Sequence, residues 1–517
     1  MAARTIMVQG TASHVGKSVL VAALCRIFYQ DGYRVAPFKS QNMALNSFVT
    51  ADGGEMGRAQ VVQAEAAGLA PHVDMNPVLL KPTGQASSQV IVLGRPVGNL
   101  TAGEYHNGYA RRVWDVICEA LERLRRKYEI IAIEGAGSPA EVNLQATEIV
   151  NMRVARQAQA PVLLVADIDK GGALASVVGT LELLPPEDRA RVAGVIINKF
   201  RGDVRLFQPA VDFLEARTGV PVVGIVPYFQ GFRIQEEDTV SEESRRRAAA
   251  PVAREVEIAV IHLPHISNFT DFDPLEDEPD VRLRYVTAGE PLGVPDLVIL
   301  PGSKNTIEDL IALHDCGLAD EIRRLARRGV PVVGICGGYQ MLGRELHDPG
   351  HTESGVPRVE GLGLLDVTTT FIWDKVTTQV QAEICAGGPL LGNAAGLAVT
   401  GYEIHMGRSI LGPKARPVCR IRLRSGSAVD FPDGAVDEAG LVFGTYIHGI
   451  FDRDDFRRRF IDALRMRKGL APLEPGRGIS LAAQRERDYN RLAAVVRESL
   501  DMEKIYRLLD LPGPRQG

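Results

Sequence analysis

Cysteine is scarce and unpatterned in this chain. Six residues, Cys25, Cys118, Cys316, Cys336, Cys385 and Cys419, are scattered over 517 positions without a CxxC pair. That excludes a zinc cluster or a disulfide framework and points to a reducing cytoplasm. Five of the six read as small core residues. No apolar run reaches membrane-spanning length, and the opening MAARTIMVQG enters a strand pattern where a signal peptide would lie. There is no long basic block and the net charge is −5, which excludes nucleic acid as the main partner. Internal repeats are lacking too. What remains is a composition 45% hydrophobic and 24% charged, that of a soluble globular protein, in a chain too long for one core. Two domains plus extensions are expected.

Short apolar runs alternate with amphipathic stretches through the first half. TIMVQG, YRVAPFK, EIIAIEGAG, APVLLVADI, VAGVIINKF and VPVVGIVP read as buried strands; Gly16–Asp31 and Arg111–Lys127 read as helices between them. This is the pattern of an α/β fold with a mostly parallel sheet. The charged, Ala-rich stretch 231–256 reads as a linker. A second strand series follows in IAVIHLP, DLVILPGS, VPVVGIC, GLGLLDV and LVFGTYIHG, and the chain from Asp452 reads as helical and polar. The expected organisation is therefore a domain over 1–230, the linker, a second α/β domain over 257–451, and a helical extension over 452–517.

The first domain opens with GTASHVGKS, Gly10 to Ser18, between a strand and a helical run. Glycines let backbone N–H groups curl around phosphate oxygens, a lysine reaches the outer phosphates, and a hydroxyl can ligate Mg²⁺. Gly10, Thr11, Val15 and Gly16 would shape such a loop, with Lys17 and Ser18 as its reactive side chains. Its spacing, G-x5-GKS, is one residue longer than the common phosphate loop. Glu134 closes a buried strand in IAIEGAG, and Asp52 lies in the polar loop TADGGE. Both are hard-oxygen partners for Mg²⁺ beside Ser18. Lys39 ends the second strand on the same edge, where a sheet of this kind binds ligands, and could meet phosphate or a substrate carboxylate.

The second domain carries VPVVGICGGYQML, Val330 to Leu342. A strand turning sharply into a helix between glycines is a nucleophile elbow, here with Cys336 at the corner and Gly337 behind it. A thiolate suits acyl transfer from an amide once a base assists it. His448 in FGTYIHGIFD closes a late strand and is the leading base; His405 in GYEIHMG competes, with His262 and His265 behind. The loop PGSKNT, Pro301 to Thr306, can supply oxyanion-hole N–H groups near Gly302 and Ser303.

These motifs carry two resemblances. GTASHVGKS, with PFK and IAIEGAG, resembles the dethiobiotin synthetase-type ATPase domain, which implies ATP use to activate a carboxylate as a mixed anhydride; INKFRGD then implies Asn198 as the adenine contact. GICGGYQML and TYIHG resemble the triad-type glutamine amidotransferases, which implies a glutamyl thioester on Cys336, release of ammonia, and Gln340 in the glutamine pocket. That family commonly has an acid two residues after the histidine, whereas Ile450 stands here, so another group must orient His448. The corrinoid-directed amidotransferases join both domains in this order. SQNMALNS, MNPVLLKPTGQASSQV, EGAGSPAEVNL and INKFRGD resemble theirs along nearly the whole chain. The implied activity is ATP-, Mg²⁺- and glutamine-dependent amidation of the b, d, e and g carboxylates of adenosylcobyrinic acid a,c-diamide, with the corrinoid as substrate. The alternatives are an amidoligase with another acceptor, such as the a,c-diamide synthase, and a partitioning-type switch ATPase carrying a non-catalytic elbow domain.

Overall fold

A computed structural model describes residues 3–82, 87–145, 147–229 and 255–515. The chain forms two compact units. One comprises Met1–Ala44, Glu55–Glu237 and Arg485–Gly517; the other comprises Leu45–Gly54 and Asp238–Gln484.

The first unit is built on a six-stranded parallel sheet. Its order is Val222–Pro227, Val192–Phe200, Val162–Asp167, Arg4–Gly10, Ile130–Glu134 and Val35–Phe38. All six are strands expected from the sequence, and their near-continuous Val/Ile/Leu content follows from helices covering both faces. The helices Lys17–Gln30 and Ala110–Lys127 match the two amphipathic stretches. Arg4–Gly10 is central, so its C-terminal end lies between the ends of Ile130–Glu134 and Val162–Asp167, where ligands bind in open α/β sheets.

The second unit has its own hydrophobic core. Val281–Val286, Val256–Ile261, Leu297–Leu300, Val332–Ile335 and Val442–Thr445 run parallel in that order, and Ala435–Val436 adds an antiparallel edge. An antiparallel sheet of Ala398–His405, Val376–Ile384, Cys419–Arg424 and Ser427–Asp433 accompanies it. Sequence reading missed that sheet, because its strands are rich in Arg, Thr and Gln and bury one face only. GLGLLDV is no strand up to Asp366; the pairing begins at Val367–Thr370.

Three expectations on organisation need correction. The segment Leu45–Gly54 belongs to the second unit. The stretch after Asp452 is not one extension: helix Asp454–Arg467 buries Phe456 and Phe460 against Phe451 in the second unit. From Arg485 onward the chain joins the first unit, where the Tyr489 hydroxyl donates to Glu65 (2.8 Å) and Arg497 clamps Asp31 (2.8 Å). The linker 231–256 lies outside the described residues except for its last two, and Val256 already begins a strand. Among the cysteines, Cys25, Cys336 and Cys419 are buried, whereas Cys316 and Cys385 are exposed, so the small-core reading does not hold for that pair.

Candidate active sites

The first site lies at the carboxyl edge of the first unit's sheet. Gly10 ends the central strand, and the loop Thr11–Gly16 leads into helix Lys17–Gln30. Gly16 has φ +99°, and a Cβ there would come within 2.2 Å of Asn198 Nδ2, so only glycine closes this corner. Lys17 is buried and folds back on the loop, donating to the carbonyls of Ala12 (2.9 Å) and Gly137 (3.2 Å). The Ser18 hydroxyl donates to Glu134 Oε1 (2.8 Å), which also accepts from Lys39 Nζ (3.0 Å). Glu134 Oε2 accepts from Gln60 (3.2 Å) and Gln63 (2.5 Å). Burial works to raise the Glu134 carboxyl, but the Lys39 ammonium and these donors hold it below the ordinary carboxylate range. Lys39 is thus a buried partner, not a surface lysine.

Other expected members stand differently. The Thr11 N–H is engaged by Val165 O (2.9 Å), so a phosphate would meet its hydroxyl. Val15 is packed, and its carbonyl accepts from Asn198 Nδ2 (2.8 Å). Asn198 therefore braces the phosphate loop in this arrangement. Asp52 belongs to the second unit, where its carboxylate accepts from the Thr50 hydroxyl (2.5 Å) within its own turn. An acid the sequence reading missed, Asp167, ends the strand beside the central one and accepts from Lys199 Nζ (2.8 Å), which also donates to His14 O (2.7 Å). Ser18 Oγ and Glu134 Oε1 fit a divalent cation as adjacent oxygen ligands, with phosphate and water completing its shell. Among the described residues no cluster of three or more His, Cys, Asp or Glu could hold a metal alone.

The second site is the elbow. Cys336 follows strand Val332–Ile335 with φ +53° and ψ −107°, a strained conformation for a non-glycine residue. Helix Gly337–Leu342 starts at once, and a Cβ at Gly338 would fall 2.0 Å from Leu300 O. The strain persists because the Cys336 N–H is pinned to Thr445 O (2.8 Å). The Cys336 thiol donates to Ile404 O (3.7 Å), and its sulfur lies close enough to His448 to help raise that ring's pKa. His448 Nδ1 donates to Asp271 Oδ2 (2.6 Å), whose Oδ1 accepts from the Gly449 N–H (3.1 Å). All three side chains are buried. Burial would lower His448, yet the Asp271 carboxylate and the Cys336 sulfur push it up to about 10.

Asp271 therefore supplies the orienting acid that position 450 lacks. The sequence reading missed it because it sits in the acid-rich run NFTDFDPLEDEPD, where nothing distinguishes one carboxylate from another. The rival histidines do not enter the relay. His405 stacks on Tyr446 (3.7 Å), and neither ring nitrogen has a hydrogen-bond partner among the described residues. His265 is tied to Asp309 (2.7 Å), a bond that raises it above the ordinary range, and His262 stacks edge-on with Tyr285.

Gly302 and Ser303 lie beside the elbow. A Cβ at Gly302 would lie 3.0 Å from His448 Cε1, and one at Gly337 would lie 2.9 Å from Ser303 N. Gln340 is buried with its amide engaged: Nε2 donates to Met406 O (2.9 Å) and Tyr446 Oη (3.1 Å), and Oε1 accepts from the Thr306 hydroxyl (3.3 Å). Thr306 also donates through its N–H and hydroxyl to Glu353 Oε1 (both 3.1 Å). Glu353 Oε2 is buried without a hydrogen-bond partner among the described residues, and burial pushes this carboxyl up to about 7. The sequence reading did not single out Glu353.

Comparison with known proteins agrees with both halves. Residues 6–240 match the CobQ/CobB/MinD/ParA nucleotide binding domain, and residues 257–456 match the CobB/CobQ-like glutamine amidotransferase domain. The chain is 62% identical to cobyric acid synthase of Pelotomaculum thermopropionicum, over 99% of this chain and 98% of that one. It is 58% identical to the Moorella thermoacetica protein of that name, with the same coverage of both chains. The Yersinia enterocolitica cobyric acid synthase is 53% identical, over 98% of each chain.

Proposed function

The chain belongs to the cobyric acid synthase family, and from that premise we propose that it amidates the b, d, e and g carboxylates of adenosylcobyrinic acid a,c-diamide. Glutamine supplies the nitrogen and ATP the driving force. One observation carries the reading: His448, fixed to Asp271 through Nδ1 (2.6 Å) and raised by the Cys336 sulfur beside it, stands at an elbow, in a chain that also holds a phosphate loop.

In the glutaminase half, the Cys336 thiolate attacks the side-chain amide carbon of glutamine. The tetrahedral oxyanion is met by N–H groups around Ser303 and Gly337, the latter at a helix start where N–H groups lack intrahelical partners. His448 protonates the departing nitrogen, so ammonia leaves and a glutamyl thioester remains. Water, deprotonated by His448, then releases glutamate. Asp271 keeps Nδ1 protonated and leaves Nε2 to serve the sulfur and the substrate. Gln340 braces the pocket wall, and the unpartnered Glu353 Oε2 offers an acceptor for the substrate's α-ammonium.

In the synthetase half, the γ-phosphoryl group of ATP passes to a corrinoid carboxylate and ADP leaves. Ammonia attacks the acyl phosphate, giving amide and inorganic phosphate. Lys17 reaches toward the phosphates once it leaves its loop carbonyls, and Lys39 lies where it can offset charge on the carboxylate. Ser18 and Glu134 would hold Mg²⁺, which supplies charge neutralisation on the transferring group. Asn198 supports the loop that carries this chemistry, and an adenine contact would use its remaining amide oxygen.

The test incubates protein, ATP, Mg²⁺ and glutamine with the a,c-diamide and reads product masses. Four successive acid-to-amide increments are expected. No increment, or ADP release indifferent to a corrinoid acid, would overturn the reading.

A further inference from the structure

Ten residues, Leu45–Gly54, fold with the amidotransferase-like unit although the chain on both sides of them belongs to the phosphate-loop unit. Their contacts fall beside every member of the thiol relay. The Ser47 N–H donates to Asn268 Oδ1 (3.0 Å). Asn268 has φ +53° and opens the turn Phe269–Phe272 that carries Asp271, whose N–H bonds back to Asn268 O (3.0 Å). The Tyr402 hydroxyl donates to Ser47 O (3.1 Å), and Phe48 packs edge-on against the Tyr402 ring (5.3 Å). That ring stacks on His448 (5.3 Å, 18°), and the two residues exchange backbone hydrogen bonds of 3.1 and 2.9 Å. Val49 is buried with Tyr402 and Ile404, and Ile404 O is the carbonyl that receives the Cys336 thiol. The Gln379 amide fixes the Val49 carbonyl from the neighbouring strand (2.9 Å).

We propose that Ser47–Val49 is a strap that positions the relay, with Phe48 and Ser47 as positioning residues acting through Tyr402 on His448 and through Asn268 on Asp271. The inference rests on the glutaminase reading of the elbow, but its observable is the thiol itself. Aligned against Asp271, His448 is held protonated through neutrality and lends Cys336 its reactivity there. Released from the strap, the Tyr402 ring and the Asn268 turn shift, the His448–Asp271 bond weakens, His448 falls from its raised value, and the reactivity it lends Cys336 in mild acid declines. The groups facing His448 are Asp271 from its turn, Cys336 from the elbow and the Tyr402 ring; Gly302 brings no charge.

The test alkylates the full-length protein with iodoacetamide at pH 6 and pH 9 and follows the Cys336 peptide by mass spectrometry, since Cys316 and Cys385 are exposed and also react. Phe48→Ala and Asn268→Gly, the latter compatible with positive φ, should each lower the pH 6 to pH 9 rate ratio at Cys336 about tenfold. Glutaminase kcat should fall by a similar factor with the glutamine KM little changed. Phe48→Tyr, which keeps the ring, should retain the wild-type ratio. An unchanged ratio in both Phe48→Ala and Asn268→Gly would overturn the strap. A wild-type thiol that reacts readily at pH 6 in a protein that never amidates a corrinoid would overturn the functional reading, with the strap intact.

Discussion

Replacing Asp271 by asparagine tests the relay at its least visible member. The carboxylate accepts two hydrogen bonds, from His448 Nδ1 through Oδ2 and from the Gly449 N–H through Oδ1. An amide of the same shape has one oxygen and one NH₂. If the oxygen faces Gly449, the NH₂ faces Nδ1, which must give up its proton; the ring is then neutral with its hydrogen on Nε2 and cannot deprotonate the water that releases glutamate. If the oxygen faces Nδ1, the Gly449 N–H meets an NH₂ in a buried setting. Either way the negative charge that stabilises the imidazolium is gone. Truncating one partner of a buried charged pair costs about 2–5 kcal/mol. At about 1.4 kcal/mol per tenfold in rate, glutamine-dependent turnover should fall roughly 30- to 4,000-fold. The sign of the pH effect is fixed as well. Asp271 and the sulfur hold His448 up near 10 against the opposing effect of burial. Without the carboxylate its value drops, the protonated form is lost at lower pH, and the alkaline limb of the glutaminase profile moves down. The assay is glutamate release across pH, paired with amidation from ammonium salts, which should be unaffected. Turnover within threefold of wild type, with an unmoved alkaline limb, would refute the relay.

Three further variants separate the two halves. Lys17→Ala should abolish amide synthesis from glutamine and from ammonia alike while leaving the fold intact; ADP formation and product mass are the readouts, and full activity with ammonium would remove the acyl phosphate from the mechanism. Glu134→Gln keeps the shape but removes the charge facing Ser18 and Lys39, so a large rate loss only partly restored by extra Mg²⁺ is expected in a magnesium titration. Near-normal turnover at ordinary Mg²⁺ would make Glu134 a structural strand end and turn attention to Asp167. Cys336→Ser should lose glutamine-dependent synthesis by orders of magnitude and keep synthesis from ammonium at mildly alkaline pH, because a serine hydroxyl stays protonated where a thiolate forms. Loss of both activities would mark Cys336 as structural.

The phosphate loop was legible because its chemistry is local. Lys17 and Ser18 follow closely on the strand, within fifteen consecutive residues from Arg4 to Ser18, and Glu134 and Lys39 end strands that pair within the same sheet. Asp52 drew attention because it sits in a polar turn; its carboxylate closes that turn with Thr50, in a segment that folds with the second unit. The elbow was legible for the same local reason: VGICGG encodes strand, strained corner and close helix approach together. Asp271 was not, because it meets His448 across 177 residues and its neighbours Asp273, Glu276 and Asp277 are equally acidic.

The departure at Ile450 now has a physical reading. An acid two residues after the histidine would hold the imidazole through local chain geometry. Here Ile450 is buried in the core beside Phe451, and the acid comes from a turn whose first residue is Asn268 in a left-handed conformation. A local acid makes the base competent as soon as its strand folds. A remote one makes it competent only when the turn is seated, and Asn268 also receives the Ser47 N–H. Without an orienting acid, losing His448 would matter less than losing Cys336. With Asp271 in place that ranking does not hold: His448→Ala leaves a buried carboxylate without its partner as well as removing the ring beside the thiol. Its loss of glutamine-dependent turnover should therefore approach that of Cys336→Ser. His405→Ala, which removes a ring outside the relay, should not. Retained glutamine use in His448→Ala together with loss in His405→Ala, measured with glutamine and ammonium side by side, would overturn the assignment of the base.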